Sequence, residues 1–268
     1  MDENSSLNYV SYLKVDQILT AQQPKSVGPD GNSFEHDEML FIIIHQVYEL
    51  WFKQVLHEID RVNALLIAND LSPALATMRR ILTILKTVVG QIDILETMTP
   101  LQFNSFRSFL DNSSGFQSVQ FRELEFALGY KRQSMIDHFP AGLHGRDQLI
   151  DRFNAPSLWD TFLGYLKAND YAVPDSLLNR DVTTPIKESA ELQQVLLDVY
   201  RNDVWISRLC ERLVDLDEGL QEWRYRHVKM VARTIGAKMG TGGSAGVKYL
   251  ESTLRPMWPD LWAIRSEL

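Results

Sequence analysis

Residues 36–53 read HDEMLFIIIHQVYELWFK, and their spacing decides the architecture. Phe41, His45, Tyr48 and Phe52, followed by Val55 and Ile59, recur every three or four positions, the period that stacks side chains on one face of an α-helix. Gln46, Glu49, Lys53 and His57 mark a polar face. Most of the remaining surface between Met39 and Leu56 is apolar, so the helix is expected to be central and contacted on several sides. Ser33 is the expected N-cap, with Glu35, Asp37 and Glu38 as acids where the helix dipole favours them, and the pattern runs to about Asn69. A second long pattern steps through Leu209, Leu213, Leu216, Leu220, Trp223, His227 and Met230 and predicts a helix over residues 185–235. Both far exceed the mean helix length of about 11–12 residues, and such lengths belong to bundles. No long alternating run interrupts them. The expected fold is all-α, a helical bundle with two very long helices and one domain over residues 1–268.

Working outward, residues 8–22 read as a short amphipathic helix with Leu13, Ile18 and Leu19 as core positions. Residues 24–32 hold two prolines and two glycines and read as a loop. Pro73 suits the first turn of a helix over residues 73–98, and Pro100 falls just past its end. Residues 101–117 read as a link, residues 121–128 as a helix closed by Gly129, and residues 137–147 as a turn region. Shorter helices are expected over residues 157–167, 175–178 and 258–268, and a short helix or turn over residues 247–254. Residues 239–246 form a glycine-rich loop.

The 268 residues are 45% hydrophobic and 23% charged, a composition that is neither disordered nor fibrous. The single cysteine, Cys210, rules out an intrachain disulfide and a cysteine-cluster metal site. A net charge of −8 speaks against nucleic acid as the main partner. The densest apolar run, residues 39–44, is far below the ~20 residues of a membrane span. The acidic, polar N-terminus does not read as a secretory leader. The expectation is a soluble, intracellular protein.

Of the six histidines, His45 and His227 lie inside apolar stripes, between Phe41 and Tyr48 and between Trp223 and Met230. Such a histidine is at home either as a hydrogen-bonded core residue or in a cavity between helices. Bundles build cofactor sites from side chains on facing helices, where one imidazole can bind a haem iron and a second face the opposite side. Periodicity does not say which histidine does which. Arg107, Arg122 and Arg132 are surface residues or carboxylate partners, since the guanidinium fork matches two oxygens. The basic run over residues 223–233 is suited to pairing with anions such as haem propionates. The loop over residues 240–246 lacks the lysine of a phosphate-binding loop and follows a helix rather than a strand, so it reads either as a plain connector or as a segment closing on a polar ligand through Thr241.

The stretches at residues 36–46 and 49–53, at residues 113–117 with Phe121 and Arg122, at residues 223–227 and at residues 240–244 together resemble the tryptophan 2,3-dioxygenase family. The resemblance runs in family order from about Tyr9 to the C-terminus. It implies an all-helical homotetramer in the cytoplasm, with one haem b per subunit. The implied reaction inserts both atoms of dioxygen into the indole 2,3 bond of L-tryptophan, giving N-formyl-L-kynurenine, the first step of the kynurenine pathway.

Residue by residue, the resemblance implies His227 as the axial ligand of the haem iron and His45 as the distal histidine facing the indole N–H. Phe41 is the aromatic packing on the indole, Arg107 the clamp for the substrate carboxylate, Thr241 a contact to the amino-acid end, and Ser114 a small residue near the haem. Tyr9, Tyr12 and Leu13 match an N-terminal segment, within residues 1–22, that reaches a neighbouring subunit's indole pocket. One departure is visible. Phe103 stands where many members carry tyrosine, which removes a phenol hydrogen bond of about 0.5–1.5 kcal/mol. Two other classes remain open on sequence: a haem protein that binds an indole amine without oxidising it, and a structural bundle whose histidines are core residues. Turnover of L-tryptophan separates the first, and a missing Soret band after haem addition would favour the second.

Overall fold

The structure is a computed structural model and describes residues 7–111, 113–140, 142–236, 238 and 247–268. Regular structure among the described residues is helical, with no strand. Two helices of 32 residues dominate, α3 (His36–Ile67) and α12 (Val204–Ile235). They are preceded by α1 (Tyr9–Leu13) and α2 (Val15–Leu19), and α4 (Leu71–Leu95) and α5 (Pro100–Arg107) follow α3. Between α5 and α12 lie α6 (Val119–Ala127), α7 (Gln133–Asp137), α8 (Arg146–Asn154), α9 (Leu158–Ala168), α10 (Asp175–Leu178) and α11 (Ala190–Asn202). The chain closes with α13 (Val247–Glu251) and α14 (Pro259–Ala263).

α4 packs along both α3 and α12, and α6 and α9 cover other faces of α3, so the apolar breadth of residues 39–56 has a partner on several sides. α3 and α12 meet through aromatic side chains, Trp223 lying 6.1 Å from both Tyr48 and Phe52. The core runs through α3, α4, α9, α11 and α12, with Trp159, Trp258 and Phe162 among its largest fully buried side chains. A smaller cluster around Phe126, Ile136, Leu149 and Phe153 seats α7 and α8 against α6.

Several expected boundaries are corrected. The helix expected over residues 185–235 is two helices. Asp203 adopts an extended conformation between them and caps α12, accepting the backbone N–H of Trp205 at 2.9 Å and of Ile206 at 2.8 Å. Asp203→Ala should lower the stability of the protein by about 1 kcal/mol, the usual cost of losing such a cap, read as a shift in the urea midpoint at unchanged slope. The helix expected over residues 8–22 is broken at Lys14, whose φ is +55°, and neither half buries a residue. Leu13, Ile18 and Leu19 are therefore exposed rather than core. Ser33 does not cap α3. Its hydroxyl donates to Asp30, and Glu35 occupies the cap position.

Pro100 does not merely follow α4. It opens α5 behind a Thr99–Gln102 capping box, so the link expected over residues 101–117 is partly helical. α8 replaces the end of the expected turn region, because Leu149 and Phe153, one turn apart, bury into the small cluster. Gly129 ends α6 as expected, at φ +102°, and a Cβ there would run into Ile186. No described helix is long and apolar enough to cross a membrane.

Candidate active site

One cavity of about 280 Å³ opens between α3, α5, α6 and α12. Helical periodicity explains which side chains reach it. From α3 come Phe41, His45, Glu49 and Phe52, and from α12 come Trp223, His227, Met230 and Thr234, each set spaced three or four residues apart. Phe103 and Arg107 reach it from one face of α5, and Ser114 from the turn before α6. The lining is mainly aromatic and aliphatic, with a few polar groups.

His45 is held within α3. Its Nδ1 lies 2.7 Å from the Phe41 carbonyl, which can only accept, so the ring carries its hydrogen on Nδ1 and keeps a lone pair on Nε2. Burial holds its pKa below the ordinary imidazole value, against the Phe41 carbonyl and the charge of Glu49. The Phe41 ring packs 4.2 Å from His45 and 5.9 Å from Phe103. Glu49, one turn on, accepts from Gln120 at 2.8 Å.

His227 stacks on Trp223, with ring centroids 5.4 Å apart and planes 10° from parallel. Burial drives its pKa down to about 4, and proximity to His45 adds to the fall. It is therefore a neutral imidazole at neutral pH. Among the described residues nothing hydrogen-bonds to its ring, so a lone pair is left for an electrophile in the cavity.

Phe41, His45, Phe103, Arg107, Ser114 and His227, drawn from three separate regions of the chain, thus line one space. Arg107 is half-buried in the last turn of α5, where a cation suits the helix dipole. Ser114 accepts the Phe116 N–H at 3.3 Å. Tyr9, Tyr12 and Leu13 are not in this group. They stand exposed on α1, with Tyr9 retaining 74% and Tyr12 68% of their surface. Thr241 lies outside the described residues.

A profile of the tryptophan 2,3-dioxygenase family matches residues 1–144 and 190–268. The chain belongs to the tryptophan 2,3-dioxygenase family. It is 59% identical over 265 residues to the tryptophan 2,3-dioxygenase of Herpetosiphon aurantiacus, covering 99% of this chain and 100% of that one. The enzyme of that name from Anaeromyxobacter sp. strain K is 51% identical over 275 residues, covering 99% and 97%. That from Caulobacter vibrioides is 41% identical over 266 residues, covering 98% of each. The family match passes over residues 145–189, the segment that carries α8, α9 and α10.

Sequence reasoning did not find Glu125. It is buried at the cavity wall, ion-paired to Arg122, Arg132 and Arg224. Read alone, it is one acid in a short mixed helix, and no periodic signal separates it from a solvated residue.

Proposed function

We propose that this protein is a haem-dependent dioxygenase that inserts both atoms of dioxygen into the indole 2,3 bond of L-tryptophan, giving N-formyl-L-kynurenine and opening the kynurenine pathway. Family membership supports the reaction. The observation that carries the site is a pair of histidines from the two long helices, both below their ordinary pKa, lining one aromatic cavity that also holds an arginine. In the same reading the chain is a single haem-binding domain, binds one haem b per subunit, works in the cytoplasm and assembles as a homotetramer. The exposed Tyr9, Tyr12 and Leu13 would complete a neighbouring subunit's pocket, which accounts for large apolar side chains left exposed on α1.

The residues fit the cofactor. His227 is a neutral imidazole in the cavity lining, with a ring nitrogen that no described residue occupies, and it would hold the haem iron through that nitrogen. Bound there, haem supplies the iron that binds and activates dioxygen. The remaining work is placement. Phe41 and Phe103 offer aromatic surface to the indole, and Arg107 pairs with the substrate carboxylate. His45 presents Nε2 as an acceptor for the indole N–H, fixing the ring's orientation without needing to remove its proton. Ser114 keeps the distal wall small.

The test is optical. Haem-loaded protein is reduced without oxygen, given L-tryptophan and exposed to air while the ultraviolet band of N-formylkynurenine is followed. Product exceeding one equivalent per haem is expected. A haem spectrum that responds to tryptophan without product would make this a binding protein instead. In the same assay His45→Ser should keep its haem and lose roughly tenfold in kcat/KM, the worth of one hydrogen bond of about 1.4 kcal/mol. Loss of haem from that variant would contradict the role given to His45.

A further inference from the structure

Residues 21–28 form a strap without regular structure, yet it is tied to α3 at two places. At the first, the Gln22 side-chain amide donates to the Gln46 side-chain oxygen at 2.6 Å and to the Ile18 carbonyl, in α2, at 2.9 Å. Gln46 donates in return to the Ala21 carbonyl at 3.1 Å. At the second, the Glu38 carboxylate accepts the backbone N–H of Lys25 at 2.8 Å and of Ser26 at 2.9 Å, together with the Ser26 hydroxyl. Ser26 in turn accepts the Glu35 N–H at 2.9 Å, so the start of α3 closes on the strap from both sides.

The two ties leave little slack. Gln46 and Glu38 are separated by just over two turns of α3, about 12 Å along its axis. Residues 22–26 reach at most about 14 Å when fully extended, and Pro24 among them has a fixed φ. Glu38 is also a costly anchor. It is 2% exposed, and a buried carboxylate is unfavourable unless hydrogen bonds satisfy it. The strap supplies those bonds, although none of residues 21–28 belongs to either core cluster. What the ties hold is therefore the chain ahead of them. There α1 and α2 pack on each other and bury no residue, and Tyr9, Tyr12 and Leu19 stand exposed.

We propose that Glu38 and Gln46 are positioning residues for L-tryptophan: they set where α1 and α2 leave α3, and thereby how Tyr9, Tyr12 and Leu13 complete a neighbouring subunit's indole pocket. The proposal rests on the reading above that this N-terminal arm serves a second copy of the chain, and it adds the device that aims the arm. Gln46 directly follows His45, which lines the cavity. One turn of α3 therefore presents the distal imidazole to its own subunit's pocket and holds the arm that serves the next.

The test separates the two copies. Glu38→Gln keeps the shape of the side chain and one of its oxygens. It should raise KM for L-tryptophan roughly 10-fold, the low end for hydrogen bonds to a charged group, with kcat within about twofold and an unchanged haem spectrum. Gln46→Met leaves Glu38 in place and should move KM in the same direction by less. A Glu38→Gln chain is then co-expressed with an Arg107→Leu chain, each with its own tag, and mixed oligomers are purified through both tags. A Glu38→Gln pocket can there receive the intact arm of an Arg107→Leu chain, so a fraction of the sites should turn over L-tryptophan with the wild-type KM. Tyr12→Ala mixed with Arg107→Leu is the reference, because it tests the exchange of the arm with both ties intact. Should Glu38→Gln fail to accumulate, Gln46→Met carries the same comparison.

An unchanged KM in both variants overturns the proposal. So does a raised KM that the mixed oligomer does not restore while the Tyr12→Ala mixture regains the wild-type value, because the ties then act within their own subunit. If neither mixture regains it, or no mixed oligomer forms, the reading of the arm as a neighbour's contribution falls, and the proposal with it. Absence of turnover in wild type would instead bring down the dioxygenase reading on which both stand.

Discussion

Replacing His227 with alanine is expected to abolish dioxygenation and to strip the axial-histidine signature from the haem spectrum. His227 stacks flat on Trp223 and has no hydrogen-bond partner among the described residues. Its ring therefore does little for the fold that a water or a small cavity could not replace. Its pKa near 4 keeps the ring neutral, and a protonated imidazole would have no lone pair to give a metal. Removing a group that only hydrogen-bonds a metal ligand costs about 10- to 100-fold, so loss of the ligand itself should exceed ~100-fold in activity. Far-ultraviolet circular dichroism should remain that of a helical bundle. Imidazole added to the variant separates the two ways of failing. If the defect is only the missing ligand, the band returns in part. A variant that keeps a wild-type haem spectrum and turnover would remove His227 from the iron and reverse the roles of the two histidines.

The same two histidines show what sequence can and cannot deliver. α3 and the greater part of α12 were legible because their apolar residues hold a three- and four-residue period over many turns, and the period also puts Phe41, His45 and Phe52 on one face. The break at Asp203 was not legible. A single aspartate inside a helical pattern is either a surface residue or a cap, and the choice is made by an extended backbone at that residue, which periodicity does not encode. α8 was missed for a related reason: it buries only Leu149 and Phe153, too few to rise above a polar stretch. The pairing of α3 with Arg107 and Ser114 is tertiary: guanidinium chemistry left Arg107 one of three candidates, and the family resemblance was needed to choose it and to reach Ser114. Glu125 is the clearest case. Its meaning comes from Arg224, 99 positions away, and nothing local marks it as buried.

Arg107→Leu is expected to damage the use of L-tryptophan far more than it damages haem retention. Arg107 stands one turn after Phe103 on α5, and both line the cavity that holds His45 and His227. A guanidinium can take both oxygens of an amino-acid carboxylate at once, so it sets the direction in which the indole enters. With phenylalanine at 103, that position offers no phenol to share the load. Hydrogen bonds to charged groups contribute about 1.5–3 kcal/mol, which puts the loss in kcat/KM at roughly 10- to 150-fold. Because the interaction exists in both the bound substrate and the transition state, most of that loss should fall on KM. Some should reach kcat if the clamp also fixes the angle of the reacting bond. Tryptamine, which lacks the carboxylate, isolates the effect. Wild type should strongly prefer L-tryptophan, and the leucine variant should treat the two nearly alike. Arg107→Lys should lie between, since it keeps the charge and gives up the fork. Equal losses on both substrates would mean that Arg107 shapes the cavity wall rather than the carboxylate contact, and unchanged kinetics would take it out of the site.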